Sequence, residues 1–156
     1  EIDAVTGGRP VAAADQPALR YTDAVIKETM RWMPVVPMMV PYRASDDVLV
    51  TSSGREYLIP RNTQVLVNGF NMHRDQSLWQ DADAFNPERF VVGPDSDIEL
   101  RGADAQSDPH HLKFLPMGTG RRACAGYALA KVELFLQGAM LMQCFQWSLP
   151  PGLDKI

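Results

Sequence analysis

Residues 114–126 read Phe114-Leu115-Pro116-Met117-Gly118-Thr119-Gly120-Arg121-Arg122-Ala123-Cys124-Ala125-Gly126, a loop of small residues that delivers one cysteine to the start of a long apolar run. Gly118, Gly120 and Gly126 remove side chains around the sulfur, so the backbone can turn sharply and a flat ligand can approach closely. From Tyr127 to Gln143 the sequence is rich in helix formers and predicts a helix over about 126–144. The Cys124 sulfur then sits beside the positive end of a helix dipole, where a thiolate is favoured. A cysteine at a helix start is often only a small buried hydrophobe, so the assignment rests on the residues around it. A disulfide to Cys144 is disfavoured, because that residue lies about 30 Å further along the same helix. Cys144 reads as core.

The spacing resembles the signature of the cytochromes P450, Phe-x-x-Gly-x-Arg-x-Cys-x-Gly. Gly120, Arg122, Cys124 and Gly126 match it position by position, and Met117 departs from it where the family usually has Phe. The resemblance implies that Cys124 is the thiolate ligand of the iron of haem b (iron protoporphyrin IX). It also implies that Arg122 reaches a haem propionate and that Met117 packs beneath the porphyrin. A thioether fills that space with a soft, polarizable chain but forfeits the rigid ring.

Upstream, Tyr21-Thr22-Asp23 predicts a helix start with Thr22 as its cap, and Pro34 predicts the stop, giving a helix over about 22–33. Glu28 and Arg31 stand three apart and share a face of that helix. Alone they would be an ordinary surface ion pair of little worth. They resemble the family's Glu-x-x-Arg, and Phe85-Asn86-Pro87-Glu88-Arg89-Phe90 resembles its Pro-Glu-Arg-Phe segment. Arg89 is therefore expected as the third member of a buried structural charge network, its planar fork able to hold a carboxylate at two points.

Residues 48–67 alternate in the manner of a small antiparallel sheet with a Ser53-Gly54 turn. Just before it, Tyr42 falls where the family brings a side chain to a haem propionate. Arg43 is its neighbour, and either can make that contact. The apolar residues 36–40 read as cleft lining. Residues 71–113 read as a meander whose later part, 91–113, has little apolar period and is expected to be exposed. His73 reads as a hydrogen-bonded loop residue, not a ligand. His110 and His111 lack the cysteine or carboxylate spacing of a zinc site.

Of 156 residues, 46% are apolar and 12 are proline, with a net charge of −4. No basic stripe exists to neutralise phosphates, so nucleic acid is not the expected partner. Residues 1–16 read as a helix end, a Gly7-Gly8 turn and an exposed connector, and residues 1–20 read as neither signal peptide nor anchor. The chain starts at Glu1 and an upstream part is expected. The apolar stretch 126–147 is interrupted by Lys131, Glu133, Gln137 and Gln143 and reads as a buried helix, not a membrane span.

The expected fold is mainly α with a small antiparallel β-sheet, the C-terminal part of the cytochrome P450 fold, of a eukaryotic, fungal type. The resemblance implies a haem-thiolate monooxygenase whose chain here supplies the proximal haem wall. It implies a small apolar organic substrate, an NADPH-dependent reductase, and the cytosolic face of the endoplasmic reticulum, with membrane contact through a part absent from this chain. The family's distal acid and alcohol pair finds no match. Two alternatives stay open: a truncated haem-binding or interaction module without turnover, and a haem-thiolate enzyme that uses peroxide or isomerises its substrate.

Overall fold

The computed structural model describes residues 1–92, 95–100 and 109–152. Helix α1 (Ile2–Thr6) stops at Gly7, and a 3-10 segment, Ala13–Ala18, leads into α2 (Arg20–Trp32). The segment between them is tied down where an exposed connector was expected. Val11 is buried, and Arg9 grips Asp15 through Nη2 at 2.6 Å and Nη1 at 2.8 Å. The α2 cap also differs from expectation. The Glu1 carboxylate accepts the amides of Tyr21 and Thr22 at 3.0 and 2.9 Å, and the Thr22 hydroxyl donates to it instead of capping the helix. A carboxylate at the positive helix end carries more charge than a hydroxyl and wins the site. The helix ends at Trp32, and Met33, at φ −136° and ψ 79°, has left the helical region that a residue preceding proline avoids.

The strands form two ribbons where one sheet over 48–67 was expected. Strands β1 (Tyr42–Arg43), β2 (Val48–Ser52), β3 (Arg55–Ile59) and β4 (Gln64–Val65) pair as β2 with β3 and β1 with β4, both antiparallel. Ser53 and Gly54 both take positive φ, 51° and 73°, the two-residue turn that matches strand twist. Residues Leu66 and Val67 stay outside the ribbons because β4 finds its partner in the short segment after Pro41.

Helix α3 (Gly69–Met72), a turn at Pro87–Phe90, the short α4 (Pro109–Leu112) and a 3-10 turn at Gly120–Arg122 lead to α5 (Tyr127–Cys144). One core gathers Met30, Trp79, Phe90, Ile98, Leu100 and Phe114. The second joins Val11 and Leu19 to Phe135 and Ala139 of α5. Ile98 and Leu100 thus bury a stretch expected to be exposed, and the buried Lys113–Asp95 pair at 2.6 Å pins it. Residues 93–94 and 101–108 of that stretch, and the tail 153–156, lie outside the described residues.

Helix α5 is not the buried helix its composition suggests. It packs one side against α1, α2 and the Ala13–Ala18 segment, and only Phe135 and Ala139 are buried. Leu129 is 65% exposed and Met142 60%, and Cys144 is exposed where a core position was expected. The described residues supply neighbours on one flank of α5 only. Among them no helix is long and apolar enough to cross a membrane.

Candidate functional site

The cysteine loop is folded by its own backbone. The Gly118 amide donates to the Leu115 carbonyl at 3.0 Å, Ala123 to Gly120 at 3.1 Å, and Cys124 to Met117 at 2.9 Å. Gly118 and Gly120 sit at φ 72° and 62°, a left-handed geometry that a side chain would strain. Gly126 needs no such freedom; a Cβ there would lie 3.9 Å from the Cys124 sulfur and fill the space beside it. Cys124 ends up free, exposed and just ahead of the first turn of α5.

This loop forms one wall of a cavity of about 540 Å³, a size typical of small-molecule and cofactor sites. Cys124, Arg122, Met117 and Tyr42 all line it, and Arg122 lies 5.9 Å from the Tyr42 ring centroid. Arg43 does not; it is exposed, because successive residues of a strand point to opposite faces. Gly120 and Gly126 shape the loop from behind the lining. Val35, Val36, Met39 and Val40 supply the apolar wall, one residue earlier than the cleft read from sequence. Ala130, Glu133, Leu134 and Gln137 close it from α5. The sequence reading missed them although their spacing places them on one helix face.

Behind the loop lies the charge network. Arg31 holds the Glu28 carboxylate with both Nε and Nη2 at 2.8 Å, and both residues are fully buried. The remaining donors of Arg31 go to the carbonyls of His73 at 2.6 Å, Ala82 at 2.9 Å and Ala84 at 3.0 Å. The Asn86 amide completes the carboxylate shell at 2.7 Å. The two-point fork expected of Arg89 belongs to Arg31. Arg89 Nε lies 3.2 Å from Glu28 Oε2 without the alignment of a hydrogen bond, and its terminal nitrogens donate to Gln80 and Asp81 carbonyls at 2.8 and 3.3 Å. Two cations thus face one carboxylate, and the excess charge is spread over the five backbone carbonyls just named.

A thiol and a guanidinium on one apolar cavity, with a built space beside the sulfur, fit a flat, anionic, metal-bearing ligand. The family model for cytochrome P450 matches residues 1–156. The chain belongs to the cytochrome P450 family. This P450 is 43% identical to dimethylnonatriene synthase of Zea mays over 155 residues, covering 98% of the chain and 27% of that relative. It is 40% identical to iridoid oxidase of Catharanthus roseus, with 98% and 27% covered. To (S)-N-methylcoclaurine 3'-hydroxylase isozyme 1 of Papaver somniferum it is 37% identical, with 99% and 29% covered. A zebrafish cytochrome P450 structure with abiraterone superposes at a TM-score of 0.77 and 36% identity, covering 99% of this chain and 32% of that one. The P450 chain therefore spans between a quarter and a third of the length of these proteins. The three curated relatives are plant proteins, so the fungal type expected from sequence has no support and is set aside. Family membership implies a haem cofactor for the P450, and the cavity's donors are of the kind it requires.

His73 is hydrogen-bonded as expected from the sequence, to a partner that the sequence did not name. Its ring is fully buried, packs 5.4 Å from Phe114, and accepts the Leu115 amide on Nε2 at 3.0 Å. Burial, and next the Arg31 charge, push its pKa from 6.5 to about 4, so the ring is neutral at pH 7. His111 pairs with Asp97 at 3.2 Å, and the described residues hold no cluster suited to a metal ion.

Proposed function

We propose that the parent protein is a haem-thiolate monooxygenase acting on a small apolar organic substrate, with this chain supplying the cysteine wall of the haem site. The observation that carries the reading is the convergence of Cys124 and Arg122 on one cavity whose other walls are mainly valine, leucine and methionine, with Glu133 and Gln137 on the α5 side. The cofactor in this reading is haem b, which Cys124 would hold through its sulfur. Arg122, with the Tyr42 ring near it, would hold a propionate, and Met117 would pack against the porphyrin. Bound there, the haem supplies an iron whose thiolate ligand donates electron density, which favours O–O cleavage and attack on C–H bonds.

The chain's own residues do the rest by position and exclusion. Gly118 and Gly120 let the loop bring the sulfur to the cavity floor, and the Met117 carbonyl holds the Cys124 amide. Val35, Val36 and Val40 give that wall its apolar surface and stand exposed in this chain. Electrons come from an NADPH-dependent reductase and the location is the cytosolic face of the endoplasmic reticulum, both carried over from the resemblance. The words "oxidase" and "3'-hydroxylase" in the relatives' names fit oxygen insertion.

The test is the reduced carbonyl spectrum of the haem-loaded full-length protein. Cys124→Ala is expected to abolish the thiolate signature and Cys144→Ala to leave it intact; the reverse pattern would overturn the assignment. Residues 1–156 alone are expected to give no sustained NADPH-driven hydroxylation, since the apolar wall of the cavity stands open to solvent, Val35 being 75% exposed. Turnover by that chain alone would place the oxygen-activating groups within it.

A further inference from the structure

We propose that His73 is a positioning residue for the cysteine loop, its Nε2 holding the Leu115 amide so that the loop is registered against the buried Glu28–Arg31 pair. The inference rests on the haem-thiolate reading of Cys124. Its geometric basis is a continuous set of bonds. At one end the His73 carbonyl takes Arg31 Nη1 at 2.6 Å and its amide donates to the Gly69 carbonyl at 2.9 Å. At the other, Nε2 takes the Leu115 amide at 3.0 Å. Leu115 in turn accepts the Gly118 amide, and within the same turn Met117 accepts the Cys124 amide. A shift of Leu115 is therefore a shift of the turn that holds the sulfur.

A buried ring that only filled space would carry no polar cost. Because Nε2 accepts, the neutral imidazole keeps its hydrogen on Nδ1, and that atom is buried without a hydrogen-bond partner among the described residues. An unpaired buried N–H is unfavourable, and an apolar side chain of similar size would avoid it. What the imidazole supplies in return is the acceptor for Leu115. The depressed pKa keeps that lone pair available at neutral pH.

The experiment compares His73→Gln, His73→Asn and His73→Leu in the full-length haem-loaded protein. Gln places its carbonyl oxygen near the position of Nε2; Asn, one methylene shorter, places it near Nδ1 and cannot reach Leu115. Two quantities are read: hydrogen exchange at the Leu115 amide, and the rate at which the reduced carbonyl complex loses its thiolate signature. The Gln variant is expected to match the parent in both. The Asn and Leu variants are expected to exchange and to lose the signature roughly tenfold faster, the scale of one buried hydrogen bond. Equal behaviour of Gln and Asn, or a Leu variant that matches the parent, overturns the role. If the Leu variant does not fold, the Gln and Asn contrast decides. A parent protein without a thiolate signature overturns the haem-thiolate reading, while exchange at Leu115 still judges His73.

Discussion

The two flanks of the cysteine loop are built differently. On one, Glu28, Arg31, Arg89 and His73 lie under Trp79, Phe90 and Phe114, whose rings meet at centroid distances of 5.3 to 6.0 Å. Every partner of that network comes from within the chain. On the other, the cavity and the outer face of α5 present Val35, Leu129, Met142 and Phe145, each at least 60% exposed. Among the described residues the polar flank is satisfied at Glu28 and Arg31, with His73 Nδ1 and Arg89 Nε the exceptions in the network, and the apolar flank is not covered by these residues. Charges demand specific partners at fixed distances, and this chain provides them, whereas apolar surface needs only coverage, which another part of the fold can supply.

The contrast predicts where substitutions hurt. Glu28→Gln leaves Arg31 and Arg89 facing each other without their carboxylate and is expected to cost about 3–5 kcal/mol. Denaturant unfolding of the full-length protein measures it, with haem retention as a second readout. A cost below about 1 kcal/mol would mean that the backbone carbonyls alone hold the arginines.

A smaller effect comes from pH. The folded pKa of His73 is lowered from 6.5 to about 4, so its contribution is complete above pH 6.5 and is lost as pH falls from there toward 4. The loss amounts to about 3 kcal/mol over that window. His73→Gln should remove this slope from the stability profile, and an unchanged slope would assign it to other groups. At the low end, Leu129→Gln on the open face of α5 is expected to change the stability of residues 1–156 by no more than about 0.5 kcal/mol. A larger drop would show that the face is covered, for instance by a second copy of the chain.

The cysteine loop is legible because its chemistry is local: Gly120, Arg122, Cys124 and Gly126 act within one turn, and their spacing is the geometry. The α2 helix is legible for the same reason, between its polar start and Pro34. The cap on α2 is not, since Glu1 reaches it across 20 residues of chain. Neither is the split of the strands, because β4 has to choose between the hairpin and Tyr42. The stretch around Ile98 and Leu100 carries too few apolar residues to show a period, yet two are enough once Trp79 and Phe114 stand opposite.

The sequence by itself determined the family signature, the thiol and the residue types of the ion pair, since these are fixed by identity and short spacing. Only the tertiary structure decided which arginine forks Glu28, which of Tyr42 and Arg43 faces the cavity, and that His73 meets Leu115. Those three outcomes depend on angles between elements far apart in the chain. A fork, a strand face or a lone pair is assigned by direction in space, and direction is set only when the elements pack.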